Sequence, residues 1–149
     1  GQDENKTFDL PIEFFNSDIL IPNLHEATGI TNSHPAASRG EAAKLIGSDL
    51  VARGISSAVI TMGKKGSMVV DRNSADHIPA FEVELVDQAA KGDAFAGALA
   101  AYCAVDWNIR EAVKFACAAG ALSCTKFGTI EALPTKDEII ELLQKEDTA

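Results

Sequence analysis

Val86-Asp87-Gln88-Ala89-Ala90-Lys91-Gly92-Asp93-Ala94-Phe95 is the stretch on which the fold turns. Before it, Phe81, Val83 and Leu85 alternate with Glu82, Glu84 and Val86, which predicts a strand with one buried face. After it, small and apolar residues run from Asp93 to Val105, which predicts a tightly packed, buried helix beginning at Gly92. A strand that turns into a helix over small residues leaves the first-turn backbone N–H groups unpaired, and such donors favour an anion such as phosphate. Gly92 allows close backbone approach, and the carboxylate of Asp93 would stand beside that anion, able to take a proton from an attacking hydroxyl. Spacing alone does not separate this reading from a carboxylate that merely favours a helix start.

Working outward, Pro11 to Asn16 predicts a short helical turn and Asp18-Ile19-Leu20-Ile21 a brief strand stopped by Pro22-Asn23. Ser38 and Glu41 form a Ser-x-x-Glu capping box, with Ala42, Leu45, Ile46 and Leu50 on the buried face of a helix ended by Gly54. Ala58 to Thr61 and Met68 to Val70 predict two strands joined by a tight turn over Gly63-Lys64-Lys65-Gly66. Asn108 with Glu111 and Thr135 with Glu138 cap two further helices. Strands interleaved with helices, without repeats or a linker, predict one α/β domain over residues 1–149, with 1–8 disordered. The opening residues Gly1 to Lys6 hold neither an initiator Met nor a signal core, as at a processed end.

The formal charge of −9, from 13 basic against 22 acidic residues, argues against nucleic acid and anionic membranes as partners. The apolar run from Ala94 to Val105 is well short of the roughly 20 residues that span a bilayer. Cys103, Cys117 and Cys124 form no CxxC pair and are expected as buried free thiols in a reducing cytoplasm. His25, His34 and His77 have no partner at metal-ligand spacing and are expected in loops.

The stretch Asp87 to Asp93 resembles the Asp-Thr-x-Gly/Ala-Ala-Gly-Asp signature of the ribokinase, or PfkB-type, carbohydrate kinases, and Phe95 and Gly97 continue the pattern. Pro22-Asn23-Leu24-His25-Glu26-Ala27 resembles the family's Asn-x-x-Glu motif, and Val59 to Gly66 its nucleotide-binding strand and loop. Phe115 to Ser123 and Gly128 to Pro134 resemble its last conserved segments, so the likeness covers almost everything after Phe8. It implies a ribokinase-like, Rossmann-type layered sheet flanked by helices, truncated to the C-terminal, nucleotide-binding half without the lid.

By that resemblance the parent enzyme would transfer phosphate from ATP to a sugar hydroxyl, D-ribose being the leading acceptor. Asp93 would be the catalytic base, and the amides of Ala90, Lys91 and Gly92 the anion hole for the γ-phosphate. Asn23 and Glu26 would organise magnesium through its waters. Asn23, Thr61, Met62, Gly63, Lys64, Lys65, Gly66, Gly92, Cys117 and Gly120 would border the nucleotide. Asp87, the carbonyl of Ala89, and backbone groups near Ser123, Lys126 and Gly128 fall where ribokinases hold potassium.

Four positions depart from the family pattern: Gln88 replaces Thr, Lys91 a small residue, Cys117 an Asn or His, and Ala132 a serine. The family's sugar-binding residues and lid strands lie in an N-terminal half that this sequence does not show, so self-association or pairing with that half is expected. Fructose, 2-dehydro-3-deoxygluconate or a nucleoside are the alternative acceptors, and a catalytically inactive nucleotide-binding remnant is the alternative class.

Overall fold

The computed structural model describes residues 10–147, so the expectation of disorder over residues 1–8 lies outside the described residues. Two compact units make up the chain, one running to Ile78 and one from Pro79 onward.

The first unit is built on a mixed four-stranded sheet in the order β1-β2-β3-β4. Strand β1 (Ile19–Leu20) lies parallel to β2 (Ser57–Thr61). Strands β3 (Ser67–Val70) and β4 (Ala75–Ile78) continue it as an antiparallel meander. The β1–β2 crossover passes through α1 (Leu24–Thr31) and α2 (Arg39–Ala52), as a parallel connection requires. Ser38 caps α2 by accepting the Glu41 amide, and Gly54, at φ 129°, follows its end where an L side chain would be strained.

Helix α2 packs on β2 and β3. It approaches so closely at Gly47 that an added Cβ would lie 2.5 Å from Val70 Cγ2. Ile46, Leu50, Ile55, Ile60, Met62 and Met68 fill the core between them. Leu45, expected on the buried face, is 56% exposed: Ala42, Ala43, Ile46, Gly47 and Leu50 define the face that meets the sheet, and Leu45 projects beside it.

The second unit is helical: α3 (Lys91–Val105), α4 (Ile109–Ser123) and α5 (Lys136–Asp147), with α4 packed against both others. Asn108 caps α4 by accepting the Glu111 amide. At α5 the Glu138 amide donates to Thr135 Oγ1 and the Thr135 amide to Glu138 Oε1, a complete capping box. Ala118, Ala119 and Ile139 centre its small core, with Phe81, Phe115, Leu142 and Leu143 at the margin.

Two expectations are corrected in this unit. Residues 79–86 pair with no strand among the described residues; Phe81 packs on the helices instead, while Leu85 and Val86 are about half exposed. An alternating pattern makes a strand only where a ladder partner exists. The α3 helix is not buried all round either: Ala94, Phe95 and Leu99 are covered, but Ala96, Gly97, Ala100, Ala101 and Ala104 are exposed. An apolar helix is buried only where a neighbour covers it, and here α4 covers one face.

Candidate functional site

In the first unit the Asn23 motif and the nucleotide-loop candidates share the end of β2. Thr61 donates its amide to Pro22 O at 3.0 Å, and Asn23 forms a parallel bridge with Thr61. Asn23 and Glu26 are engaged with each other: Asn23 Oδ1 accepts the Glu26 amide and Glu26 Oε2 accepts the Asn23 amide, both at 2.8 Å. The pair is therefore the capping box of α1, a helix where the sequence pattern points to a loop. His25 lies on that helix and His77 on β4, so of the three histidines only His34 is in a loop as expected.

Beyond Thr61 the chain makes a 3-10 turn over Gly63–Lys65, with Gly63 at φ 60° and Gly66 at φ 84°. Met62 is buried, whereas Lys64 and Lys65 are exposed, two cations on a compact turn.

In the second unit the turn Asp87 to Asp93 is fastened at its start. The amides of Val86 and Asp87 both donate to Cys124 O, at 2.7 and 3.2 Å. Asp87 Oδ1 accepts the Ala89 amide at 2.9 Å and Oδ2 the Gly128 amide at 3.2 Å. These bonds, the Ala89 one foremost, hold the Asp87 carboxyl below its ordinary range. Ala90 then opens α3 with no side chain capping it. The Lys91 amide donates to Gln88 O at 3.2 Å, closing the turn, so of the expected anion-hole donors Lys91 is already engaged.

Asp93 stands exposed in the first turn of α3, where the helix dipole favours a carboxylate. It edges a groove of about 860 Å³ bordered by Gly97, Ala101, Leu133, Ile139 and Leu143. Lys91 lies along α4: its Cγ and carbonyl oxygen would each be 3.6 Å from a Cβ added at Gly120. Gly120 is thus a packing residue between α3 and α4, and Cys117 is buried on the same helix.

At the positions expected around potassium, the side chains of Ser123 and Lys126 have partners of their own. Ser123 Oγ donates to Gly120 O at 2.7 Å, and Lys126 Nζ pairs with Glu138 Oε2 at 2.9 Å. The Lys126 bond, with those from Thr135, pulls the Glu138 carboxyl down to about 2. Among the described residues no group of three or more His, Cys, Asp or Glu could hold a metal ion. A magnesium ion that keeps most of its waters and leans on one exposed carboxylate, such as Glu26, is compatible with these side chains. Cys103, Cys117 and Cys124 are free thiols, the last two buried as expected and Cys103 partly so, with burial raising its thiol above the usual range. No helix among the described residues is long and apolar enough to cross a membrane.

A sequence profile of the pfkB family carbohydrate kinases matches residues 14–136. The ribokinase of Haemophilus influenzae is 33% identical over 127 residues, covering 85% of this chain and 41% of the relative. The solved ribokinase of Thermotoga maritima is similar with a TM-score of 0.78 at 29% identity, covering 91% of this chain and 46% of that one. A double mutant of fructokinase from Vibrio cholerae, solved with fructose, ADP and potassium ion bound, gives a TM-score of 0.69 at 28% identity, covering 85% of this chain and 40% of that one. The chain spans less than half the length of each.

Proposed function

The chain belongs to the pfkB family of carbohydrate kinases, and on that premise we propose that it supplies the nucleotide site, anion hole and catalytic base of an ATP-dependent sugar kinase, with D-ribose as the first acceptor to test. The observation that carries the reading is the placement of Asp93: an exposed carboxylate one residue after Gly92, at an uncapped helix start and at the rim of a groove.

In this mechanism Asp93 takes the proton of the acceptor hydroxyl as the oxygen attacks the γ-phosphate, a contribution of about 10²–10⁴-fold in rate. The first-turn backbone of α3, at Ala90 and Gly92 and at Lys91 once its amide exchanges Gln88 O for the ligand, stabilises the charge spread over the oxygens of the transferring phosphoryl group. Ala90 carries no cap that would compete. Thr61 to Gly66 border the triphosphate, with Lys64 and Lys65 as its countercharges. Asn23 and Glu26 would hold hydrated magnesium through its waters, and the ion would supply positive charge to offset that of the phosphates. Asp87, Ala89, Ser123, Lys126 and Gly128 are the candidate surroundings of a potassium ion, Asp87 offering its ionised carboxylate.

The test is phosphoryl transfer by the full-length protein, assayed with ribose, deoxyribose and fructose as acceptors and ATP as donor. Asp93→Asn should abolish turnover while MgATP still binds; unchanged turnover would remove Asp93 from the reaction.

A further inference from the structure

The turn over Gly63–Lys65 is closed at its base, where the Met62 amide donates to Gly66 O at 2.8 Å, but its tip is held less firmly. Within it Lys65 N donates to Met62 O at 3.2 Å and Gly66 N to Gly63 O at 3.1 Å, both near the long end for amide bonds. Glycines at positive φ stand at its first position and directly after it, so the backbone there has more freedom than any other residue type would allow. An element meant to hold a triphosphate needs that freedom removed before the ligand arrives.

A side chain from outside the turn does so. The imidazole Nε2 of His77 meets the carbonyl oxygen of Lys65. A carbonyl can only accept, so Nε2 carries the proton and donates. His77 is itself held in place by the sheet, because on β4 it pairs with Met68 of β3, which pairs in turn with Ile60 of β2. Met68 and Ile60 are both buried in the core. The ring is therefore carried by the sheet whose strands β2 and β3 flank the turn, and it holds the turn from β4, outside that hairpin.

We propose that His77 is a positioning residue for the nucleoside triphosphate: by donating to Lys65 O it presets the turn that presents the Lys64 and Lys65 ammonium groups to the phosphates. The inference rests on reading Gly63 to Gly66 as the nucleotide turn, and it adds a residue twelve positions downstream of Lys65 to that site. His77 does not touch the reacting atoms, so its removal acts on nucleotide binding and leaves the chemical step alone.

The experiment compares His77→Ala and His77→Gln in the full-length protein, since a glutamine amide also presents an N–H donor. Steady-state kinetics should show the MgATP KM raised about fivefold by His77→Ala, the factor one neutral hydrogen bond is worth, with kcat within about twofold and KM for the sugar unchanged. His77→Gln should recover most of the loss. Backbone hydrogen exchange without nucleotide is read in parallel: the Lys65 and Gly66 amides should exchange faster in His77→Ala and near wild type in His77→Gln. A fall in kcat with unchanged MgATP KM, or unchanged exchange in a folded His77→Ala protein, overturns the proposal. Faster exchange in a protein whose wild type neither binds MgATP nor turns over would instead overturn the kinase reading while the hold on the turn stands.

Discussion

Asp87 and Gly128 are joined across 41 positions of sequence by a single bond, the Gly128 amide donating to Asp87 Oδ2 at 3.2 Å. The other carboxylate oxygen takes the Ala89 amide, so one side chain ties the start of the phosphate turn to the loop that precedes α5. Asp87→Ala should release both amides, seen as faster hydrogen exchange at Ala89 and Gly128, and should lower turnover through a disordered anion site. Unchanged exchange would mean that the Val86 and Asp87 amides on Cys124 suffice to hold the turn.

Lys91 sets a second expectation. Its stem packs toward Gly120 on α4. Lys91→Ala in the full-length protein should therefore change kcat/KM by less than about threefold, under 1 kcal/mol of transition-state stabilisation. A rise of tenfold or more would show that the side chain blocks the anion hole, as the inactive-remnant reading expects.

Gly47 tests the core of the first unit. Although alanine is the better helix former by roughly 1 kcal/mol, Gly47→Ala should destabilise the protein by about 1–2 kcal/mol, because its methyl would meet Val70 Cγ2 in a filled core. Adding Val70→Ala should give a smaller total loss than the two single losses summed. Thermal denaturation of the three variants decides it.

Glu138 predicts an acid-side effect. Its carboxyl sits at about 2 in the fold against 4.5 as the ordinary value. The ionised form therefore stabilises the fold above pH 4.5, and that contribution drains away as pH falls from 4.5 toward 2. Wild-type melting temperature should drop more steeply across this window than that of Glu138→Gln, which should be less stable at pH 7 by about 1 kcal/mol through the weakened cap. Parallel slopes would remove Glu138 as the titrating group.

Features settled within a few residues were legible in the sequence. Ser38, Asn108 and Thr135 announced their helices because a cap is a local bond between a side chain and an amide three residues on. Strands β2 and β3 were legible from apolar runs around a glycine turn. Helix α1 was not, although Asn23 and Glu26 carry the capping signal, since the apolar run stopped by Pro22-Asn23 reads as a strand ending at a loop. Strand β4 was hidden because Ala75-Asp76-His77-Ile78 is short and half polar, so His77 gave no sign of its bond to Lys65. The burial of α3 and the pairing of residues 79–86 depend on which neighbours are present, which composition does not encode. Of the candidate site, the order of residues along the chain was legible. The Asp87–Gly128 bond and the packing of Gly120 on Lys91 were not, because each joins positions far apart in sequence.

The bonds from Val86 and Asp87 to Cys124 bear on the order in which the second unit assembles. Closing a loop of nearly forty residues costs chain entropy that no local bond at the turn offsets, so it forms only after α3 and α4, which lie inside the loop, have folded back on each other. A ribosome that has released Asp93 but not yet Gly128 thus carries the acidic side chain without its anchored turn. The turn becomes ordered only once the chain through Gly128 is free to fold.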